Sequence, residues 1–162
     1  MGFKRTVSIL MMGFLLSACT PKEYVEQNAA YIIFKTPTFK YADMGFIYEN
    51  ENEIQIEIYG SGQALMSLKI SETSVCMSLF ECMGKSAFNK KVLSSKYPEN
   101  TLENIFRGKP LFNGVGLEKK GTKFTQKVVK EDKYNIEYTV LNNQIIFRDT
   151  INSILIKVKK QY

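Results

Sequence analysis

Glu53-Ile54-Gln55-Ile56-Glu57-Ile58-Tyr59 sets Ile54, Ile56 and Ile58 on one side of the chain and Glu53, Gln55 and Glu57 on the other. Unbroken period two predicts a strand with one dry face and one wet face. Gly60-Ser61-Gly62 turns the chain, and Ala64, Met66, Leu68 and Ile70 then alternate against Ser67 and Lys69. The same pattern returns near the C-terminus. Tyr134, Ile136, Tyr138 and Val140 mark one strand, Gln144 to Asp149 the next, and Ile154, Ile156 and Val158 the last. Asn142-Asn143 lies between two of these runs and predicts a two-residue hairpin turn, because Asn tolerates positive φ. Lys157, Lys159 and Lys160 keep charge on the exposed side of the last strand, a guard against edge pairing.

Weaker signals fill the rest. Ala30 to Phe39, rich in β-branched and aromatic residues, predicts a first strand, with Pro37 making it an edge or bending its end. Lys40 to Tyr48 predicts a second, with Gly45 as a bulge. A polar site at Asp43-Met44-Gly45 is the other reading of that spot. Glu49 to Asn52 and Glu72-Thr73 are turns, and Ser74 to Phe80 and Lys123 to Lys130 are further strands. Between them the period changes. Ser86 caps a short helix near 86–94, with Phe88 and Val92 four apart. Asn100 and Glu103 have capping-box spacing for a second near 98–107, striped by Leu102, Ile105 and Phe106 and stopped by Gly108 and Pro110. Residues 30–162 therefore predict one mainly β (α+β) domain, a curved antiparallel sheet or half-open barrel closed by two short helices.

The N-terminus has a different grammar. Lys4 and Arg5 precede a ten-residue apolar run, Val7 to Leu16, interrupted by Ser8 and Gly13. A spanning helix needs about 20 apolar residues, so the run suits the core of a signal peptide. Leu16-Ser17-Ala18-Cys19 closes it and resembles the lipobox of bacterial lipoproteins. That resemblance implies cleavage after residues 1–18 and lipid attachment at Cys19, with residues 19–29 as a polar tether. Three acyl chains would hold the protein stably where one holds only marginally. Thr20 follows, and in enterobacterial lipoproteins Asp at that place implies inner-membrane retention. The implied location is thus the outer membrane, lipid-anchored and facing the periplasm.

Charge and composition narrow the chemistry. The full chain has a formal charge of +6, and loss of Lys4 and Arg5 leaves +4 on 144 residues. A mildly basic surface outside the cytoplasm suits anionic lipid headgroups better than nucleic acid, and an ordinary solvated face accounts for it more readily than a dedicated site. There is no histidine, which removes Ser-His-Asp and Cys-His catalysis and the commonest zinc ligand. No phosphate loop or placed carboxylate pair is present, so no cofactor and no enzyme is expected. After Cys19 only Cys76 and Cys82 remain. In one straight strand they would stand about 20 Å apart, so a disulfide requires a turn near Phe80 to Met83. An oxidising compartment favours the bridge; free thiols, or a redox or metal role, are the other readings.

The order of elements over residues 31–160 resembles the lipoprotein-localisation (LolA/LolB-like) family, an incomplete antiparallel barrel with helices on one side and an apolar cavity for acyl chains. The lipobox implies the membrane-anchored receptor branch. One departure stands out: receptors carry an apolar residue on a protruding loop after the strand matching 53–59, where this chain has Gly60-Ser61-Gly62. The expected function is a lipid-anchored, non-catalytic envelope protein that binds acyl chains or lipoproteins. Its pocket would be lined by Ile56, Ile58, Met66, Leu68, Ile136 and Ile154. The alternative is an assembly lipoprotein docking an envelope partner, which fits if those residues form a filled core.

Overall fold

The computed structural model describes residues 26–78 and 80–161. Eleven strands form one antiparallel sheet, in the spatial order β6-β5-β4-β3-β2-β1-β11-β10-β9-β8-β7. They are β1 (Glu26–Lys35), β2 (Lys40–Glu49), β3 (Glu53–Gly60), β4 (Gln63–Ser71), β5 (Ser74–Met77), β6 (Phe80–Gly84), β7 (Leu117–Lys120), β8 (Lys123–Lys130), β9 (Tyr134–Val140), β10 (Gln144–Asp149) and β11 (Ile154–Lys160). The edges, β6 and β7, do not pair with each other, so the sheet stays open. Between them the chain crosses through α1 (Lys85–Val92), α2 (Thr101–Phe106) and a 3-10 turn at Phe112–Gly114. This is the expected class: mainly β, open, with short helices.

Alternation does the folding work. Ala30, Ile32 and Phe34 of β1, Ile54, Ile56 and Ile58 of β3, and Ile154, Ile156 and Val158 of β11 are buried on the same face. Phe88 and Val92 of α1 and Leu102, Ile105 and Phe106 of α2 join them in one core. α1 packs on β5 and β6, and α2 on β10. Each helix is too short to be stable alone and holds through that buried stripe.

Several local expectations need correction. β1 begins at Glu26, so the last four residues of the expected tether are strand. β1 is also central, between β2 and β11, and Pro37 falls in the turn beyond it. β11 is likewise central, so its lysines mark a wet face and guard no edge. Gly45 is not a bulge, since it pairs in register with Ala30 and Ile58. It is glycine because strands approach closely there: a Cβ would lie 2.0 Å from the Glu57 carbonyl oxygen. The bulge lies opposite, where Ile58 pairs with Met66 but Tyr59 with Ala64, leaving Leu65 extra. The Ser61-Gly62 turn has positive φ at both residues, as a tight hairpin requires. Asn142 and Asn143 do join β9 to β10, without positive φ at either; the Leu141 N–H closes that loop on the Gln144 carbonyl at 2.8 Å.

Ser74 to Phe80 is not one strand. The chain reverses after Met77, two residues before the expected turn, and β5 pairs with β6. Ser86 lies inside α1, whose N-cap is Gly84. Asn100 is the N-cap of α2 but makes no capping bond; its side chain has another use.

Candidate functional site

Cys19 and the whole 1–18 segment lie outside the described residues. The β5–β6 hairpin brings the Cys76 and Cys82 Cα atoms to 4.0 Å and their sulfurs to bonding distance. The bridge staples an edge hairpin in which Glu81 is the unpaired residue, since Val75 opposes Met83 and Met77 opposes Phe80.

All six residues expected to line an apolar pocket are buried in the core, none more than 1% exposed. Ile56 faces Leu68 and Ile58 faces Met66 across β3 and β4. Ile136 and Ile154 occupy the same face beyond β1, in β9 and β11. The structure therefore brings them together as packing. None of them lines the clefts that open on the surface of the sheet and of the crossing segment.

A cleft of about 460 Å³ opens at the rim where β1 begins and β2 and β9 end. Phe106 and Gly108 of the α2 end face Val140, Leu141, Ile145 and Val158 across it. A Cβ at Gly108 would touch Val140 and Ile145 at 3.4 and 3.7 Å, and φ there is +63°, so glycine both ends the helix and keeps the cleft open. Its lip is charged. Arg107 donates to Glu49 at 2.7 Å, to Glu103 at 2.9 Å and to the Asn50 carbonyl at 2.9 Å. Lys85 reaches Glu103 at 2.7 Å and Asn100 at 3.2 Å. Both capping-box residues thus serve an ion-pair network that ties α1, α2 and the β2–β3 turn together. Burial pushes the Glu103 carboxyl up, but Lys85 and Arg107 outweigh it and hold it below the usual value. Beside the cleft, Lys160 holds Glu26 at 2.9 Å, and this bond, with one from Asn28, lowers the Glu26 pKa.

A second polar centre lies under the opposite rim. The Tyr97 hydroxyl donates to Asp149, which also accepts from the Asn152 amide at 2.6 Å and from the N–H groups of Ile151 and Asn135 at 2.9 and 3.0 Å. Burial raises the Asp149 pKa, and these donors more than offset it. Burial, with the bond to Asp149, pushes the Tyr97 hydroxyl far up, so it stays a neutral donor. Neither residue lines any of these surface clefts. The pair pins loop 150–153 and the segment after α1 to the sheet. Sequence reasoning missed it, because a Tyr and an Asp 52 positions apart carry no motif. Among the described residues no group of three or more Cys, Asp or Glu could hold a metal ion, and no helix is long and apolar enough to cross a membrane.

The outer face of β1–β3 is apolar where a wet face would be polar. Tyr31, Met44 and Phe46 are exposed at 37, 43 and 37%. Tyr31 opposes Met44 in the register. Phe46 meets Tyr59 edge-on at 5.9 Å and Tyr48 at 6.2 Å. Glu57 sits among them, accepting from Gln55 at 2.7 Å and from Tyr59 at 2.6 Å. The pattern was in the sequence as Met44, Phe46 and Tyr48 alternating, but it gives no sign of which face is inside. No family model matches the chain, and no curated protein matches it.

Proposed function

We propose that this is a lipid-anchored, non-catalytic protein of the bacterial outer membrane that docks an envelope protein through the outer face of β1–β3. The carrying observation is the exposed cluster of Tyr31, Met44 and Phe46, with the half-buried Tyr59 edge-on to Phe46, on a sheet whose inner face is filled. Aromatic residues and Met are enriched at protein interfaces, and a contiguous apolar patch on a wet face favours a contact site. The lipobox-like Leu16-Ser17-Ala18-Cys19 supports the anchor. A photocrosslinking residue at Phe46 should give one adduct of defined mass in intact cells, and one at Lys127, on the outer face of β8, should give none. Equal adducts from both positions, or none from Phe46, would remove this reading.

A second reading keeps acyl chains or lipoproteins as cargo, in the manner of the lipoprotein-localisation receptors, and moves the site to the rim cleft. One observation favours it: Phe106, Val140, Leu141, Ile145 and Val158 give that cleft an apolar wall. The bulged Leu65, 48% exposed beside the Gly60-Ser61-Gly62 turn, lies at the opposite rim and is no part of it. A fluorescent fatty acyl probe should then bind the full chain and be lost in Val140→Asp, and not in Phe46→Ala. Binding unaffected by Val140→Asp would discard the cleft.

A further inference from the structure

We infer that the rim formed by the β7–β8 and β9–β10 hairpin tips lies against the bilayer and binds anionic phospholipid. The inference rests on Cys19 being the lipid anchor. The register makes this rim continuous with the start of β1. The Lys160 side chain pairs with Glu26, the Lys160 N–H donates to the Asn143 carbonyl at 2.9 Å, and Thr122 lies 3.5 Å from Asn142. Six strands at about 4.8 Å spacing make it about 24 Å wide. Residues 19–25, seven in number, connect Cys19 to β1, and seven residues extend at most about 25 Å. The opposite rim is a ten-residue strand further away, about 33 Å. The short connection therefore holds this end of the sheet near the membrane surface.

The chemistry at the rim suits that position. Lys119, Lys120 and Lys123 are exposed and enter no ion pair among the described residues. Between them and the β9–β10 tip is a cleft of about 450 Å³ whose floor is Phe124 and Leu141, with Glu118 its acidic member. Leu141 is 38% exposed at the tip. Lysines around an apolar floor fit a phosphate headgroup above the start of its acyl chains, and each lysine near an anionic surface strengthens binding about fivefold.

The test uses the full lipidated chain in vesicles, with an environment-sensitive fluorophore on Leu141→Cys or, as a second tip position, Thr122→Cys. Ile151→Cys, on the far rim, is the control. In phosphatidylglycerol-containing vesicles the tip probes should be at least about twofold brighter than the control and be quenched by lipid-borne spin labels. The difference should vanish in phosphatidylcholine, at high salt, and in a Lys119→Gln/Lys120→Gln/Lys123→Gln variant. Equal signals at tip and control overturn the proposal. So do dark tip probes that are shielded from a soluble thiol reagent in native envelopes, which would mark a protein contact. Acyl labelling of the same samples separates the two failures. A labelled chain with dark tips overturns the rim alone, and an unlabelled chain overturns the anchor. Flotation of that unlabelled chain with anionic but not neutral vesicles would still support the rim, and flotation with neither would overturn it.

Discussion

On the β3–β5 side, the inner face carries only Ile54, Ile56, Ile58, Met66, Leu68, Ile70, Val75 and Met77. On the β8–β10 side, Gln126, Tyr138 and Asp149 point inward among Phe124, Val128, Ile136 and Phe147, and each is at most 2% exposed. What covers each half accounts for the difference. α1 packs on the first side, and a helix satisfies its own backbone, so hydrocarbon against its apolar stripe suffices. The second side is covered by α2, only six residues long, and by the irregular chain that flanks it between Tyr97 and Val115, whose peptide groups need partners. Gln126 supplies three of them, accepting from the Leu111 N–H at 2.9 Å and donating to the carbonyls of Leu111 and Val115 at 2.6 and 2.8 Å. Tyr138 holds the end of α2, and Asp149 holds Tyr97. One half is a packed core. The other is a clamp on the segment that crosses between the sheet edges.

If the first half depends on packing alone, Leu68→Ala should be more damaging than loss of any one clamp contact or of the disulfide. Buried Leu→Ala costs about 2–5 kcal/mol, depending on how far the site collapses. Leu68 is fully buried opposite Ile56, with little freedom to relax. Urea denaturation should show a lower midpoint with an unchanged slope, and amide exchange should quicken across the whole sheet. A loss below about 1 kcal/mol would mean that this side is loosely filled and would make the interior a candidate ligand site again.

Asp149→Asn tests the clamp. Hydrogen bonds to a charged group contribute about 1.5–3 kcal/mol, and loss should concentrate in loop 150–153 and around Tyr97. The pH dependence adds a sign. A carboxyl held below its unfolded value stabilises the fold above that value, and the contribution is lost as pH falls through the folded pKa. Asp149 is lowered from an ordinary 3.8 and Glu103 from 4.5. Stability should therefore fall as the pH drops below those values, and Asp149→Asn should flatten part of that acid limb. An unchanged acid limb would show that Asp149 contributes no such linkage.

Reducing the Cys76–Cys82 bridge should have a smaller and local effect. A seven-residue loop gives at most about 2.4 kcal/mol by loop entropy. The bridge closes an edge hairpin away from the clamp, so faster exchange should be confined to β5, β6 and the start of α1. Loss of protection around Asp149 on reduction would contradict the division between the two halves.

The same division explains what was legible in the sequence. β3, β4 and β8 through β11 could be read because each has one wet face, which writes period two into the chain. β7 was invisible, since Leu117-Glu118-Lys119-Lys120 is an edge strand with almost no buried side. The β5–β6 reversal carries no Gly or Asn to announce it. The central positions of β1 and β11 follow from pairing between chain ends, which no local pattern encodes. The candidate site was less legible for a related reason. Ile56, Ile58, Met66, Leu68, Ile136 and Ile154 are buried, as their alternation implies, but alternation reports burial and is silent on whether the buried space is filled. The clamp residues looked like ordinary members of alternating strands, because a Gln or Asp turned inward is seen only once the crossing segment is in place.

Tyr138→Phe is the finest probe of the comparison. The Tyr138 hydroxyl donates to the carbonyls of Asn104 and Ile105 at 3.2 and 3.4 Å, in the last turn of α2. Both carbonyls also accept a backbone N–H, from Lys109 at 2.8 Å and Gly108 at 3.2 Å. Removing the hydroxyl therefore leaves neither orphaned, and the cost is only that of one modest bond, about 1 kcal/mol. The Phe ring keeps its edge contacts with Phe124 at 5.5 Å and Phe147 at 6.3 Å, so the packing contribution survives. Faster exchange should appear at Gly108 and Lys109, while β3 and β4 hold theirs. A loss above about 3 kcal/mol would mean that the hydroxyl sets the position of α2 for the whole domain. The hydrocarbon half would then lean on the clamp, and the two sides of the sheet could not be treated as independent.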